Sequence, residues 1–312
     1  TEKCKFFLKY VLKMVQLVCD CTERSTLVKI TITLPMNHPE TTIRDLLEKE
    51  WLVPRKVRHF LRIRKNVWIN QQPALFHHEV KGNDQITLLF EETDYNYQEV
   101  QLGDAKHIRV LYEDEHLIIV DKPAGMKTHP NEPTENSTLL NHLAAYLDTK
   151  QQRPYVVHRL DKETSGAVLF AKNPFVLPIL GRMLEQKMIY RRYQAIVWGE
   201  IAKDMTITNK IGRDRHDRRK RVVDDKNGQS ALTHVTVNKV LCEQTQVYCV
   251  LETGRTHQIR VHLAHKGHPI VGDPLYQNRT AERLMLHALE LHMIHPFTQE
   301  KIVGKALPGL WE

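Results

Sequence analysis

The stretch His158-Arg159-Leu160-Asp161-Lys162-Glu163-Thr164-Ser165-Gly166 (HRLDKETSG) is preceded by Tyr155-Val156-Val157 and followed by Ala167-Val168-Leu169-Phe170. β-Branched and aromatic residues on both sides predict a strand that ends, turns through small polar residues and resumes. A turn held between two strands is a rigid mount for one side chain, and Asp161 is the candidate. An aspartate in a turn commonly caps backbone N–H groups and does no chemistry. The rest of the chain has to decide between the two roles.

Working outward, strand-like pieces recur at YVVH, AVLFA, YQAIVWG, ALTHVTV and QVYCVLET, with helices expected at 138–147, 174–187, 255–265 and 280–290. Strand clusters with helices between them predict an α+β domain built on a mixed, largely antiparallel sheet. It opens at IRVLYEDEHLIIVDKP and fills 107–312. Before it, Glu91 to Lys106 is polar and acid-leaning, and 92–106 reads as a linker.

A smaller α/β unit is expected upstream. Ser25 to Leu34 alternates β-branched and polar residues, as does Ile86 to Phe90. Between them Thr42 can cap a helix through Trp51, with Asp45 three residues on, and Pro54 suits the first turn of a second helix to about Ile63. Arg55, Arg58 and Arg62 fall on one face of that second helix, with Val57, Phe60 and Leu61 roughly opposite. Across 42–65 eight Lys or Arg stand against three acids, which is either a solvated face or a cationic ridge.

The 312 residues carry 45 Lys and Arg against 37 acids, a net charge of +8 that favours a polyanionic partner. Five cysteines (Cys4, Cys19, Cys21, Cys242, Cys249) include no C-x-x-C pair, which argues against a disulfide framework or a zinc site and suits a reducing cytoplasm. Lys5, Lys9 and Lys13 interrupt the apolar N-terminal stretch before it reaches the roughly 18 residues a membrane span needs. Residues 1–13 are expected to form a leader outside the fold, within an extension over 1–25.

Following the basic helix, KNVWINQQPALFHHEVKGNDQITLLF completes an order that resembles the S4 RNA-binding domain, over about residues 26–91. The resemblance implies that Arg55, Arg58 and Arg62 lie against a structured RNA backbone. Where that family often has Asn-Gly in the turn, this chain has Asn70-Gln71.

HRLDKETSG with its β run resembles the signature of the RluA-like pseudouridine synthases. Three further stretches match in the expected order: Arg191 to Gly199 (RRYQAIVWG), Thr253 to Tyr276 (TGRTHQIRVHLAHKGHPIVGDPLY) and Arg283 to Pro296 (RLMLHALELHMIHP). The resemblance covers essentially all of 108–312, departing at Gln277, where the family usually has glycine. It implies that Asp161 is the catalytic carboxylate, that Arg260 is the cation beside it, and that Tyr193 stacks on the uracil near the C5 proton. It further implies that Arg159 supports an everted nucleotide, through phosphates or the vacated space; a structural salt bridge is the alternative. His158 is expected to be a structural hydrogen-bonder.

Turning uridine into pseudouridine breaks the N1–C1′ bond and joins C5 to the same sugar carbon, with no net redox change. No cofactor or metal is expected, and the chain has no G-x-G-x-x-G, P-loop or metal-ligand spacing. An ionised carboxylate can stabilise or capture the positive charge at C1′, as glycosidase carboxylates do. The segment NKIGRDRHDRRKRVVDDKNGQSA, with Lys210, Arg213, Arg215, Arg218, Arg219, Lys220, Arg221 and Lys226 against four aspartates, reads as a phosphate-contacting flap or a solvated loop.

Taken together, these features are read as an RNA pseudouridine synthase isomerising specific uridines in structured RNA, with large-subunit ribosomal RNA as the expected substrate and transfer RNA as the alternative. A silent RNA-binding or assembly factor of the same fold and a nucleoside hydrolase are the alternatives. The chain is expected to be a cytoplasmic monomer with no membrane partner.

Overall fold

The computed structural model describes residues 27–91, 94–95, 99–279 and 281–309. The expected leader over 1–25 lies outside the described residues. The chain divides into two compact units, residues 1–44 with 56–97, and residues 45–55 with 98–312.

In the first unit β1 (Leu27–Thr33) pairs antiparallel with β6 (Gln85–Glu91), so the alternating pattern buries Ile30, Ile32, Ile86 and Leu88. β2 (Thr41–Thr42) pairs with β5 (Glu79–Val80), while β3 (Val67–Ile69) joins β6 to the short β4 (Gln72–Pro73). The Asn70-Gln71 turn keeps both residues at positive φ, 48° and 68°, the geometry usually served by Asn-Gly. Asn70 holds it by donating to Asp84 Oδ1 (2.8 Å) and accepting from the Gln85 N–H (2.9 Å).

The helix expected over 42–51 starts as α1 (Ile43–Asp45) and widens into π geometry over Leu46–Glu50, where the Trp51 N–H returns to the Leu46 carbonyl. α2 (Arg55–Ile63) buries Leu61 and leaves Arg55 and Arg62 exposed with Arg58 half-buried, so the amphipathic reading holds.

The second unit is built on one large sheet that contains ten strands in the described residues. Its strands are β7 (Val110–Glu113), β8 (Leu117–Lys122), β9 (Tyr155–Val156), β10 (Ser165–Ala171), β11 (Tyr190–Trp198) and β12 (Met205–Ile207), and then β15 (Thr233–Leu241), β16 (Gln244–Leu251), β17 (Leu286–Ile294) and β18 (Lys301–Lys305). The order is β12-β15-β16-β11-β17-β10-β8-β7, with β18 on β17 and β9 on β10. Only β10 and β17 run parallel in this sheet among the described residues, and the remaining pairs are antiparallel, as the mixed α+β reading expects. A separate hairpin, β13 (Ile211–Arg213) with β14 (Arg221–Val223), carries the basic segment.

The helices are α3 (Leu139–Asp148), α4 (Val176–Glu185) and α5 (Gln258–His265). α5 begins later than expected because His257, ahead of it, sits in the left-handed region at φ 57°. The helix expected over 280–290 is a correction: residues 286–294 form the buried strand β17. LHALELHMI is rich in helix formers, but neighbouring strands on both sides override that preference. Residues 101–104, expected in the linker, bond to α3: the Gly103 N–H to the Asn141 carbonyl, and the Asp104 N–H to His142 Nδ1. Residues 45–55 belong to this unit too, Trp51 meeting Phe297 edge to face at 5.0 Å between centroids.

β9 folds back on β10, pairing Val156 with Phe170 and Tyr155 with Ala171, so the strand, turn and strand read from 155–171 is what forms. Two buried side chains fix the turn from behind. The Thr128 hydroxyl donates to the Leu160 carbonyl (2.8 Å) and accepts from the Leu160 N–H (3.1 Å). Lys122 Nζ donates to the carbonyls of Pro123 (3.0 Å), Met126 (2.6 Å) and Lys162 (3.0 Å). The residues before and after Asp161 are thus both tied to the 122–128 segment. Burial pushes the Lys122 ammonium down to about 7, while the charges of Asp161 and Glu163 pull it up.

Gly166 anchors the far end of the turn at φ 111°, and a Cβ there would meet the Ala288 carbonyl oxygen at 2.2 Å. Gly166→Ala is therefore expected to destabilise the fold by about 3 kcal/mol or more, read as a fall in the urea midpoint. Lys122 supplies a pH signature. Its folded pKa lies below its ordinary value, so between about pH 7 and 10 the unfolded chain binds more protons and stability rises with pH. Relative to Lys122→Gln, the unmutated protein should gain up to about 1.4 kcal/mol per pH unit in that window. A pH-independent difference between the two proteins would refute this.

Candidate active site

Asp161 leaves the turn with its side chain 23% exposed, at the edge of a cleft of about 500 Å³ also lined by Arg159, Arg191, Tyr193, His257 and Arg260. The structure thus brings together the residues singled out from three separate motifs. Asp161 is neither sealed in a dry interior nor remote from its expected partners.

Arg260 comes from the first turn of α5 and is 3% exposed. Its Nη1 donates to Asp161 Oδ2 (3.1 Å), and its Nε and Nη2 donate to Asp273 Oδ2 and Oδ1 (both 2.8 Å). Burial alone would disfavour the guanidinium charge. The bonds to Asp273 and the nearby Asp161 outweigh it, and the group is held more firmly protonated than a free guanidinium. Asp273, fully buried, also accepts from the N–H groups of Leu275 (2.9 Å) and Tyr276 (3.2 Å). One arginine is therefore fixed by a buried carboxylate and presents its remaining edge to the carboxylate at the cleft.

Tyr193 stands on β11 where the register with β17 shifts, between Arg192 and Tyr193. A bulge of this kind re-aims one side chain. The residue is 6% exposed, and burial pushes its phenol up, opposed by Arg191 and reinforced by Asp161. Its proton is thus held in the resting site. Arg159 is exposed at the cleft and forms no ion pair among the described residues, so the salt-bridge alternative is not what the structure displays. His158 behaves as expected: its Nε2 accepts from the Leu169 N–H (3.1 Å), and burial together with Arg191 pushes it down to about 3, so the ring is neutral.

Several neighbours escaped the sequence reading although they sit inside quoted motifs. His257 places Nε2 3.7 Å from Asp161 Oδ2, and its Nδ1 is 2.9 Å from the Tyr276 hydroxyl. Tyr276 in turn accepts from the Arg221 N–H (2.8 Å) and lies under Arg260, 5.2 Å from guanidinium carbon to ring centroid. Burial lowers the His257 imidazolium, against the pull of Asp161. The strings THQIR and GDPLY contained these residues, but only the left-handed bend before α5 turns His257 toward Asp161. In the basic segment, Arg219 is bound by Asp217 through Nε (3.0 Å) and Nη2 (2.8 Å), while the Arg218 side chain forms no hydrogen bond or ion pair among the described residues.

Chemically, the cleft offers an ion-paired carboxylate, a buried phenol and several guanidinium groups around a space large enough for one nucleotide. No helix among the described residues is long and apolar enough to cross a membrane.

Comparison with known proteins agrees with this geometry. Residues 116–265 match the family model described as RNA pseudouridylate synthase, and residues 30–86 match the RluD ribosomal pseudouridine synthase N-terminal domain. The chain is 38% identical over 285 residues to an uncharacterized RNA pseudouridine synthase of Bacillus subtilis (strain 168), covering 86% of this chain and 92% of that one. It is 38% identical over 300 residues to the ribosomal large subunit pseudouridine synthase D of Nitrosomonas europaea, covering 91% and 83%. Among solved structures, human RNA pseudouridylate synthase domain containing 1 superposes with a TM-score of 0.56 at 25% identity, covering 67% of this chain and 86% of that one. With relatives matched over most of their length, the chain belongs to the RNA pseudouridylate synthase family and is an isomerase acting on RNA.

Proposed function

We propose that the protein isomerises specific uridines of large-subunit ribosomal RNA, with Asp161 meeting the sugar, Arg260 holding that carboxylate in place, and Tyr193 acting on the base. The observation that carries the reading is the 3.1 Å contact between Asp161 and an arginine already fixed by Asp273. The choice of RNA is supported by relatives named for the large ribosomal subunit, including those of Nitrosomonas europaea and Xanthomonas campestris. A cytoplasmic monomer is the state in which we expect it to act.

In this reading a uridine leaves its stack at a cost of a few kcal/mol and enters the cleft, with Arg159 at the rim supporting the everted nucleotide. The N1–C1′ bond breaks as Asp161 captures or stabilises the developing cation at C1′. The uracil turns while packed on the Tyr193 ring, C5 joins C1′, and the C5 proton passes to the phenol oxygen as the phenol's own proton is handed on through solvent to N1, so that no proton is gained or lost. Arg55, Arg58 and Arg62 on α2, in an S4-like first unit, together with Arg218 and Arg219 on the hairpin, would hold the RNA backbone. Transfer RNA is the second substrate to test, because the cleft geometry selects a nucleotide and not a particular RNA.

With RNA tritiated at uridine C5, Asp161→Ala should lose tritium release to background while still binding RNA. Release at the unmutated rate would defeat the enzymatic role given to Asp161. Pseudouridine mapping of cellular RNA with and without the gene should show sites missing from large-subunit ribosomal RNA; loss confined to transfer RNA would move the substrate there. Tyr193→Phe keeps a ring to stack on but has no hydroxyl to relay the proton, so kcat should fall about 10²-fold or more with KM little changed.

A further inference from the structure

Arg255 lines two clefts at once. One is the Asp161 cleft; the other, of about 330 Å³, is bounded also by Arg213, Arg221, Asn227, Gln229 and Thr256. The three guanidinium groups come from three places in the chain: β13, β14 and the loop ahead of α5. None of the three forms an ion pair among the described residues, whereas Arg219 on the same hairpin is taken up by Asp217 and Arg260 by two aspartates. No carboxylate lines this second cleft, and its remaining polar groups are two side-chain amides and a hydroxyl.

Two of the three are tied to main-chain carbonyls. Arg221 Nη1 bonds to the Lys220 carbonyl (3.1 Å) and its backbone N–H to Tyr276. Arg255 Nε donates to the Ser230 carbonyl (3.0 Å), and its two Nη groups make no hydrogen bond among the described residues. The hairpin is seated rather than loose, since Ile211 and Val223 pack with Val261 of α5 and with Tyr276. Three guanidinium groups that line one recess with no carboxylate among its lining residues make it a region of positive potential that an anion would offset. Planar forks of this kind match the oxygens of a phosphodiester.

We infer that this recess holds a backbone phosphate of the RNA strand immediately beside the everted uridine, with Arg213, Arg221 and Arg255 as its ligands. The inference rests on the RNA reading proposed above and adds to it a specific subsite on the flank of the catalytic cleft. Because Arg255 is shared, a strand whose nucleotide occupies the first cleft has to pass its neighbouring phosphate across the second. Arg213 and Arg221 therefore carry more of the electrostatic contact than Arg219, whose charge Asp217 already meets.

The test measures binding of large-subunit ribosomal RNA, transcribed with uridine tritiated at C5, between about 50 and 200 mM salt. Arg213→Gln/Arg221→Gln should reduce the slope of log K against log salt by about 1 to 2 and raise KM for tritium release more than it lowers kcat. Arg213→Lys/Arg221→Lys should restore the slope, since lysine keeps the charge. Arg255→Gln, on a separate element, should reduce the slope by about 1. An unchanged slope in the glutamine variants, or lysine variants that lose as much as the glutamine ones, would overturn the inference. The binding arm needs no turnover, so unmutated protein that bound but released no tritium would defeat the proposed reaction and still leave the salt slopes to decide the recess.

Discussion

A guanidinium has two edges, and a buried one can serve a functional carboxylate only if something else holds it still. Arg260 meets this condition through Asp273, which takes Nε and Nη2 and leaves Nη1 for Asp161. A single arginine between two carboxylates also balances charge in an unusual way. Asp273 is sealed, and leaving it unpaired would cost about 3–5 kcal/mol, so the buried pair makes the position of Arg260 a condition of folding. Asp161, partly exposed, then receives its cation already placed and gives up little of its own freedom to obtain it. The site is thus preorganised by an interaction that faces away from the substrate.

The same logic governs the backbone under Asp161. Thr128 secures Leu160, Lys122 secures Lys162, and the tight approach of Gly166 to Ala288 sets where β10 starts. Each contact is with main-chain atoms, so the aspartate is positioned by its neighbours' peptide groups while its own carboxylate stays available to the cleft. Burying a lysine for this purpose has an electrostatic cost, visible in its lowered pKa, that three carbonyl acceptors only partly offset.

How far the sequence could be read follows from which interactions are local. The strand, turn and strand around Asp161 were legible because alternation and small turn residues sit within a few positions of one another, and the amphipathic face of α2 was legible for the same reason. β17 was not, because its helix-forming residues became a strand through pairing with β10 and β11, which no local pattern records. Asp161, Tyr193 and Arg260 were nameable from motif resemblance. Asp273, Lys122 and Thr128 were not singled out, since their roles exist only once segments far apart in sequence are brought into contact. His257 depended on one left-handed residue ahead of α5, a backbone choice that its side chain does not announce.

The arginines of this unit divide by burial, and that division answers an electrostatic problem. A polyanion brought close to a carboxylate makes its ionised form harder to keep, because every phosphate adds negative potential at the reacting oxygen. Salt screens little within a recess at such short range. If the RNA strand passes the cleft as proposed, cations on its flank lower that potential before it reaches Asp161, while Arg260, already committed to Asp161 and Asp273, is not drawn away by the phosphates. Exposed arginines could bind RNA without this arrangement, and a buried one could hold Asp161 without it. Placing Arg255 on the border of both clefts lets the contact that recruits the backbone also shield the carboxylate that acts on the sugar.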